Sequence, residues 1–386
     1  MVLEEIQAAL RERQLDGWLF YDHHFRDPIA YRILGLSPDL HATRRWYYLI
    51  PAQGEPRKLL HRIEGSKLDA LPGGGSFYSS WQEHEAGLRT MLGSCSRIAM
   101  QYSPRNAILY VSLVDAGTVE LLRDFGVTVV SSADLVSRFE AALTPAQIQS
   151  HYQAQRKIDE ILAAAWVEVG SRSGKTTEHD MAQWLREAMR RAGLVWEHGP
   201  NVSVNANTAD SHYDPPPLHS APIRLGDLVL IDIWGRVDSP DSCFYDVTWT
   251  AVVGRTPSPR EQAVFQAVVQ ARDAAIRLVQ ESFAQGREMA GWQADHAARE
   301  MIREAGYAQF FTHRTGHNIS RSLHGNGANL DNLETRDERI LLPHTCFSVE
   351  PGVYLPEFGI RSEVNMMTEP GKALVTGRMQ TELLRI

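Results

Sequence analysis

Asp232, Asp246, His317, Glu350 and Glu363 each fall in a short segment of the C-terminal half that reads as a strand or a strand edge. Any fold for this chain has to find a place for them. In VLIDIW an Asp interrupts a strongly apolar strand, and CFYDVTWT repeats the arrangement with Asp246. A carboxylate buried without a partner is costly. One such Asp could serve as a turn or helix-cap acceptor; two in strands that look adjacent are harder to place that way. Patterning alone leaves a structural role and metal ligation both open. Taken together, three or more carboxylates with one imidazole make a hard, oxygen-rich donor set. Such a set suits two divalent ions sharing an activated water, which points to metal-assisted hydrolysis.

At 386 residues the chain is long enough for two cores rather than one. Its 43% hydrophobic and 22% charged content is ordinary for a globular protein. A net charge of -8 argues against a nucleic-acid groove, which needs concentrated Lys and Arg. Cys95, Cys243 and Cys346 share no close spacing, so no zinc knuckle or CxxC redox motif is present, and a sparse odd set fits a reducing cytoplasm. The opening MVLEEIQAALRERQLDGWLF reads as an amphipathic helix running into a strand, without the apolar core of a signal peptide. No stretch approaches the roughly 20 apolar residues that span a bilayer.

An α+β architecture in two domains is expected, 1–143 and 144–386. In the first, DGWLFYD, RRWYYLIPA, RKLLHRI, RIAMQYS and VTVVSS read as strands, with a helix over YVSLVDAGTVELLRDFG. GGGS at 73–76 reads as a flexible loop, and His23, His24, His41 and His61 as scattered surface side chains. The second domain opens at LTPAQ, with Thr144 as N-cap and Pro145 in the first helical position. Further helices start at Thr176 or Thr177 and at the capping box Ser258 to Glu261, and another ends at Gly306. They are expected to pack outside a curved antiparallel or mixed sheet. Asp238 and Asp241, beside Pro240, read as turn residues.

Other polar residues gather around the five. THRTGHNISRSLHG carries His313, His317 and His324, with Gly316 permitting close backbone approach. His317 is the ligand candidate; His313 and His324 would flank it, bonding substrate or the ligand carboxylates. A histidine cluster of this kind can equally be a polar network or a surface feature. Glu350 closes a strand before Pro351-Gly352, and Glu363 is expected in mid-strand, on the same face as Arg361. An Arg there could hold a ligand's free oxygen or meet a substrate carboxylate, or could form an exposed ion pair. His212 stands in a Pro-rich loop from which it could reach a cleft.

With these residues in hand, the C-terminal half resembles the pita-bread-fold metallopeptidases. These include Xaa-Pro dipeptidases (prolidases), Xaa-Pro aminopeptidases and methionine aminopeptidases. The N-terminal part resembles the smaller α/β domain of prolidases and creatinases. Gly226-Asp227 precedes Asp232, and Asp246 opens DVTWT where the family has D-x-T-R-T. His313 to His317 matches H-x-x-G-H, Glu350 to Tyr354 matches E-P-G-x-Y, and Gly359 to Glu363 matches G-[VI]-R-x-E. His212 matches the histidine of an upstream H-Y pair. The chain departs from the pattern in a longer gap between Asp232 and Asp246, in Trp249 where an Arg is usual, and in Ser320 for a common Gly. The Trp249 change would remove a positive charge near the site.

The resemblance implies the roles. Asp232, Asp246, His317, Glu350 and Glu363 would hold two divalent ions, most readily Mn²⁺, with Co²⁺ or Zn²⁺ as alternatives. Glu350 would also carry a proton, His324 would stabilise an oxyanion, and His212 and His313 would bind the proline side of the substrate, with Arg361 beside them. A proline-containing dipeptide or short peptide is the implied substrate, a homodimer the implied assembly and the cytoplasm the implied compartment. The short gap between Glu350 and Glu363 resembles the smaller prolidases and favours a dipeptidase over an aminopeptidase.

Overall fold

The structure is a computed structural model that describes residues 2–386. The chain divides after Glu140 into two compact units, the second being Ala141–Ile386.

In the first unit, α1 (Leu3–Glu12), β1 (Gly17–Asp22), α2 (Pro28–Leu34), β2 (Trp46–Pro51), β3 (Arg57–His61), β4 (Gly74–Tyr78), α3 (Trp81–Leu92), β5 (Arg97–Met100), α4 (Ala116–Asp124) and β6 (Thr128–Ser131) surround a six-stranded sheet of order β4-β3-β2-β1-β5-β6. Alternation along β1 sends Trp18 and Phe20 into one core and Leu19 and Tyr21 into the other, so both faces of the sheet are covered. Two expectations need correction. Residues 74–78 are an edge strand parallel to β3, not a flexible loop. Gly73 makes the approach possible: its φ is +95°, and a Cβ there would lie 2.0 Å from the Pro56 carbonyl oxygen. The helix expected from residue 110 starts later, at Ala116, because the Asp115 carboxylate accepts the Thr118 N–H and fixes the N-cap.

The second unit runs α5 (Pro145–Ser171), α6 (Glu178–Arg191), β7 (Asn201–Val204), β8 (Leu228–Val237), β9 (Tyr245–Val252), α7 (Pro259–Ala284), α8 (Gly291–Glu304), β10 (Asn318–Ile319), β11 (Cys346–Val349), β12 (Gly352–Leu355), β13 (Phe358–Arg361), β14 (Val364–Glu369) and β15 (Lys372–Thr376), with a few two-residue strands between. The expected caps form: Thr144, Thr177 and Ser258 each accept a first-turn N–H, and Pro145 and Pro259 occupy first-turn positions that need no donor. β8 pairs antiparallel with both β7 and β9, while β10, β11, β14 and β15 make a second sheet. The Asn365 amide ties the two sheets together, donating to the Asp246 carbonyl at 2.8 Å and accepting the Asp246 N–H at 2.9 Å.

Period-two alternation then decides which side chains meet. Ile231, Ile233 and Val247 turn towards α5 and α6 and join Ala154, Ile158 and Leu185 in one apolar core. Each such fully buried aliphatic contributes roughly 1.5–3 kcal/mol. Asp232, Trp234, Asp246 and Thr248 are left on the opposite face, where the first three line a cavity. Trp249 packs with the helical layer and does not line that cavity, so its replacement of an arginine places no apolar group at the site. Among the described residues, no helix is long and apolar enough to cross a membrane.

Candidate metal centre

The register of β8 against β9 sets Asp232 opposite Thr248 and Trp234 opposite Asp246. His317 enters from the segment before β10, held there by a double contact with β11. Its N–H donates to Ser348 Oγ at 2.9 Å, and its carbonyl accepts the Ser348 N–H at 2.9 Å. Gly316 allows this, since a Cβ on it would lie 1.9 Å from the Ser348 carbonyl oxygen. Behind this segment the buried Asp295 carboxylate accepts the Thr315 N–H at 2.8 Å and its hydroxyl at 2.6 Å, and pairs with Arg299 at 2.7 Å.

Glu363 is not in mid-strand. β13 ends at Arg361 and β14 begins at Val364, and Ser362 and Glu363 form the break. Fully buried Arg272 of α7 holds the break open by donating to Ser362 Oγ and to the Gln380 carbonyl, both at 2.7 Å. The Glu363 N–H donates to the Thr248 carbonyl at 3.1 Å, so the turn hands Glu363 to the β9 face.

Ligand-type atoms of Asp246, His317 and Glu363, all buried, lie within 4.8 Å of one another. His317 Nε2 is 3.3 Å from Glu350 Oε1 and 3.6 Å from Asp246 Oδ2. Asp232 is turned the other way: Oδ2 pairs with Arg361 Nη2 at 2.5 Å, and Oδ1 accepts the Thr248 hydroxyl at 2.8 Å. Thr248 Oγ1 also lies 2.7 Å from Glu363 Oε2, so one hydroxyl links two of the carboxylates. Asp246 Oδ1 and Glu363 Oε1 are buried and have no hydrogen-bond partner. Two orphan carboxylate oxygens beside an imidazole fit a hard cation, which would satisfy both.

Electrostatics agree. Burial pushes the Asp232 carboxyl up to about 6 against the pull of Arg361, and Asp246 up to about 7. Glu350 and Glu363 are raised in the same direction and by the same cause. Burial lowers His317, with the nearby carboxylates pulling the other way. Its Nδ1 lies 3.3 Å from the Asn318 carbonyl, the partner that would take an Nδ1 proton and leave the Nε2 lone pair facing Asp246 and Glu350. Burial thus favours the neutral form of each carboxyl, and a bound cation would favour the ionised form instead.

The flanking residues lie around a cavity of about 600 Å³. His324 stands edge-on to His317, ring centroids 4.3 Å apart, and desolvation followed by the charges of His317 and Arg314 lowers its pKa. His212 is exposed at the cavity lining. His313 lines the cavity too, but its two nitrogens are engaged: Nδ1 at 2.7 Å from the Arg314 carbonyl and Nε2 at 2.7 Å from Tyr354 Oη. Tyr354 in turn accepts from Arg361 Nη1 at 3.2 Å, giving a chain from buried Asp232 through Arg361 and Tyr354 to half-buried His313. Sequence reasoning missed Thr248, Trp234 and Phe244 as parts of this site. Only Thr248 and Trp234 left a signal, their even spacing from Asp246 and Asp232.

Buried carboxylates and a neutral imidazole at the floor of a peptide-sized cavity, framed by an α+β unit, define a metal-dependent hydrolase. Residues 149–370 match the family described as Metallopeptidase family M24, and the chain belongs to it. It is 28% identical over 334 residues to "Probable dipeptidase PepE" of Mycobacterium tuberculosis, covering 85% of this chain and 82% of that one. A stretch of 164 residues is 30% identical to the Xaa-Pro dipeptidase of Pyrococcus furiosus, covering 42% of this chain and 43% of that one. The crystal structure of dipeptidase PepE from Mycobacterium ulcerans superposes with a TM-score of 0.72 at 23% identity, covering 100% of this chain and 96% of that one. The α+β architecture is accordingly the pita-bread fold of that family.

Proposed function

We propose that this chain is a Xaa-Pro dipeptidase that works with two divalent cations, Mn²⁺ before Co²⁺ or Zn²⁺, and acts as a homodimer. The observation that carries the reading is the convergence of Asp246, His317 and Glu363 with unsatisfied oxygens on a cavity of dipeptide size. The names of the relatives supply the substrate class. Glu350 and Asp232 would complete the donor set. The cations, when bound, would acidify a water and polarise the scissile carbonyl.

The chain's own residues do the rest. Glu350 takes the proton given up by the attacking water and delivers it to the proline nitrogen as it leaves. His324 donates to the carbonyl oxygen as charge grows on it. Arg361 keeps Asp232 ionised in a site that would otherwise protonate it. His212 and the ring of His313 contact the proline end.

The test is cleavage of Leu-Pro and Leu-Pro-Gly by chelator-treated protein with and without added Mn²⁺, with bound metal counted per chain and mass measured by light scattering. Metal-dependent cleavage of the dipeptide alone, with two ions per chain in a dimer, is expected. Preference for the tripeptide would make the enzyme an aminopeptidase, and no cleavage of either with any divalent ion would overturn the proposal.

A further inference from the structure

We infer that Trp234, with Leu323 and Phe244, forms an apolar wall that selects the side chain of the residue preceding proline, so that the preferred substrates carry a large apolar residue there. This rests on the reading of the chain as a Xaa-Pro dipeptidase.

The wall follows from the strand register. Trp234 lies two residues beyond Asp232 on the same face of β8, about 7 Å along the strand, and directly opposite Asp246. It is half-buried and lines the cavity together with Phe244 and Leu323. Behind them lies a compact apolar cluster of Leu143, Cys243, Ile319, Cys346 and Met367, against which Trp234 and Leu323 pack. No comparable apolar surface borders the Asp232 end, where Arg361, Tyr354 and His313 make a polar chain. A dipeptide aligned across the centre with its carboxylate and proline at that polar end places its first side chain on the indole.

The indole is also fixed. A Cβ on Gly199 would lie 2.4 Å from Trp234 Cη2 and 2.5 Å from Cζ2, so the Gly199 backbone sits directly against the six-membered ring. Arg186 Nε fastens the Gly199 carbonyl at 2.9 Å. Because the ring is gripped on one side by backbone and backed by the core, it presents one fixed apolar surface to a ligand. A fixed aromatic surface discriminates by contact area, and a few methylenes against it are worth about 10–200-fold in kcat/KM.

The test compares Leu-Pro, Phe-Pro and Gly-Pro as substrates of the wild-type protein, Trp234→Ala, Trp234→Phe and Leu323→Ala. The wild type is expected to favour Leu-Pro and Phe-Pro over Gly-Pro by about tenfold or more. Trp234→Ala should bring that ratio within about twofold of unity, chiefly through KM, while Trp234→Phe keeps most of it. Leu323→Ala, in the same wall, should lower the ratio about threefold and serves if Trp234→Ala does not fold. A ratio that survives both alanine variants, or that is near unity in the wild type, overturns the inference. If the wild type cleaves no Xaa-Pro dipeptide, the parent reading fails by itself. Calorimetric binding of leucine amide against glycine amide then decides the wall: preference for leucine amide that is lost in the alanine variants supports it, and equal binding refutes it.

Discussion

Replacing Arg361 with Met should destabilise the second unit by an amount that depends on pH and on divalent metal. Arg361 is 4% exposed and spends its guanidinium on Asp232, Thr248, Tyr354 and the Ser211 carbonyl. Removing one partner of a buried ion pair typically costs about 3–5 kcal/mol. For a unit of this size that corresponds to a fall in Tm of roughly 10 °C. The pH dependence follows from Asp232, whose folded-state carboxyl is raised to about 6 from 3.8. A raised carboxyl means that the folded protein binds the extra proton, so stability declines as pH climbs through that window. Without Arg361 the folded pKa rises further and the decline continues above pH 6. The deficit of the variant should therefore be full at pH 8. Below pH 6, where Asp232 takes a proton, it should shrink to the roughly 1–2 kcal/mol of the lost neutral hydrogen bonds. Mn²⁺ should recover part of the deficit at pH 8 by supplying the missing positive charge. Thermal melts of metal-free and Mn²⁺-loaded protein at pH 5.5 and 8 would check this. An Arg361→Met deficit that is the same at both pH values and indifferent to metal would refute the electrostatic account of the pair.

Two further outcomes are expected. In Gly316→Ala the new methyl would meet the Ser348 carbonyl oxygen at 1.9 Å, so the backbone carrying His317 must move. Destabilisation of at least about 2 kcal/mol is expected, together with roughly 10–100-fold weaker Mn²⁺ binding by calorimetry; a wild-type Tm and affinity would contradict the described crossing of the two segments. His151 is fully buried between the Phe244 carbonyl and the Thr376 hydroxyl, and burial lowers its pKa to about 4 from 6.5. A lowered His binds its proton in the unfolded chain first, so stability is lost as pH falls from 6.5 towards 4, by up to roughly 3 kcal/mol. Urea midpoints across that range should flatten in His151→Gln, and an unchanged slope would remove His151 from the account.

The ligand candidates were legible because carboxylates in apolar strands have few other uses, and the helix starts because their caps are local. What escaped depends on distant segments meeting. FGIRSEVNMM alternates like one strand, yet it breaks at Ser362 because Arg272, 90 residues earlier in sequence, takes the Ser362 hydroxyl. Thr248 looks like any β-branched strand residue until the register places it between Asp232 and Glu363. Trp249 shows the reverse error: it stands beside a motif, but strand alternation turns it to the helical layer. GGGS reads as loop by composition, and only the neighbouring β3 makes it an edge strand.

The link between Arg361 and Asp232 spans 129 residues, and that between Thr248 and Glu363 spans 115. No fragment holding one sheet without the other can possess the centre. Contacts this far apart in sequence form late, after the loop-closure entropy of everything between them has been met. The capacity to hold a metal is thus tied to completion of the fold: Asp246, His317 and Glu363 come together only where the two sheets are joined through Asn365. A chain still emerging or wrongly paired would carry its helices but neither the joined centre nor the apolar surface around Trp234, which is backed by Ile319, Cys346 and Met367 of the second sheet.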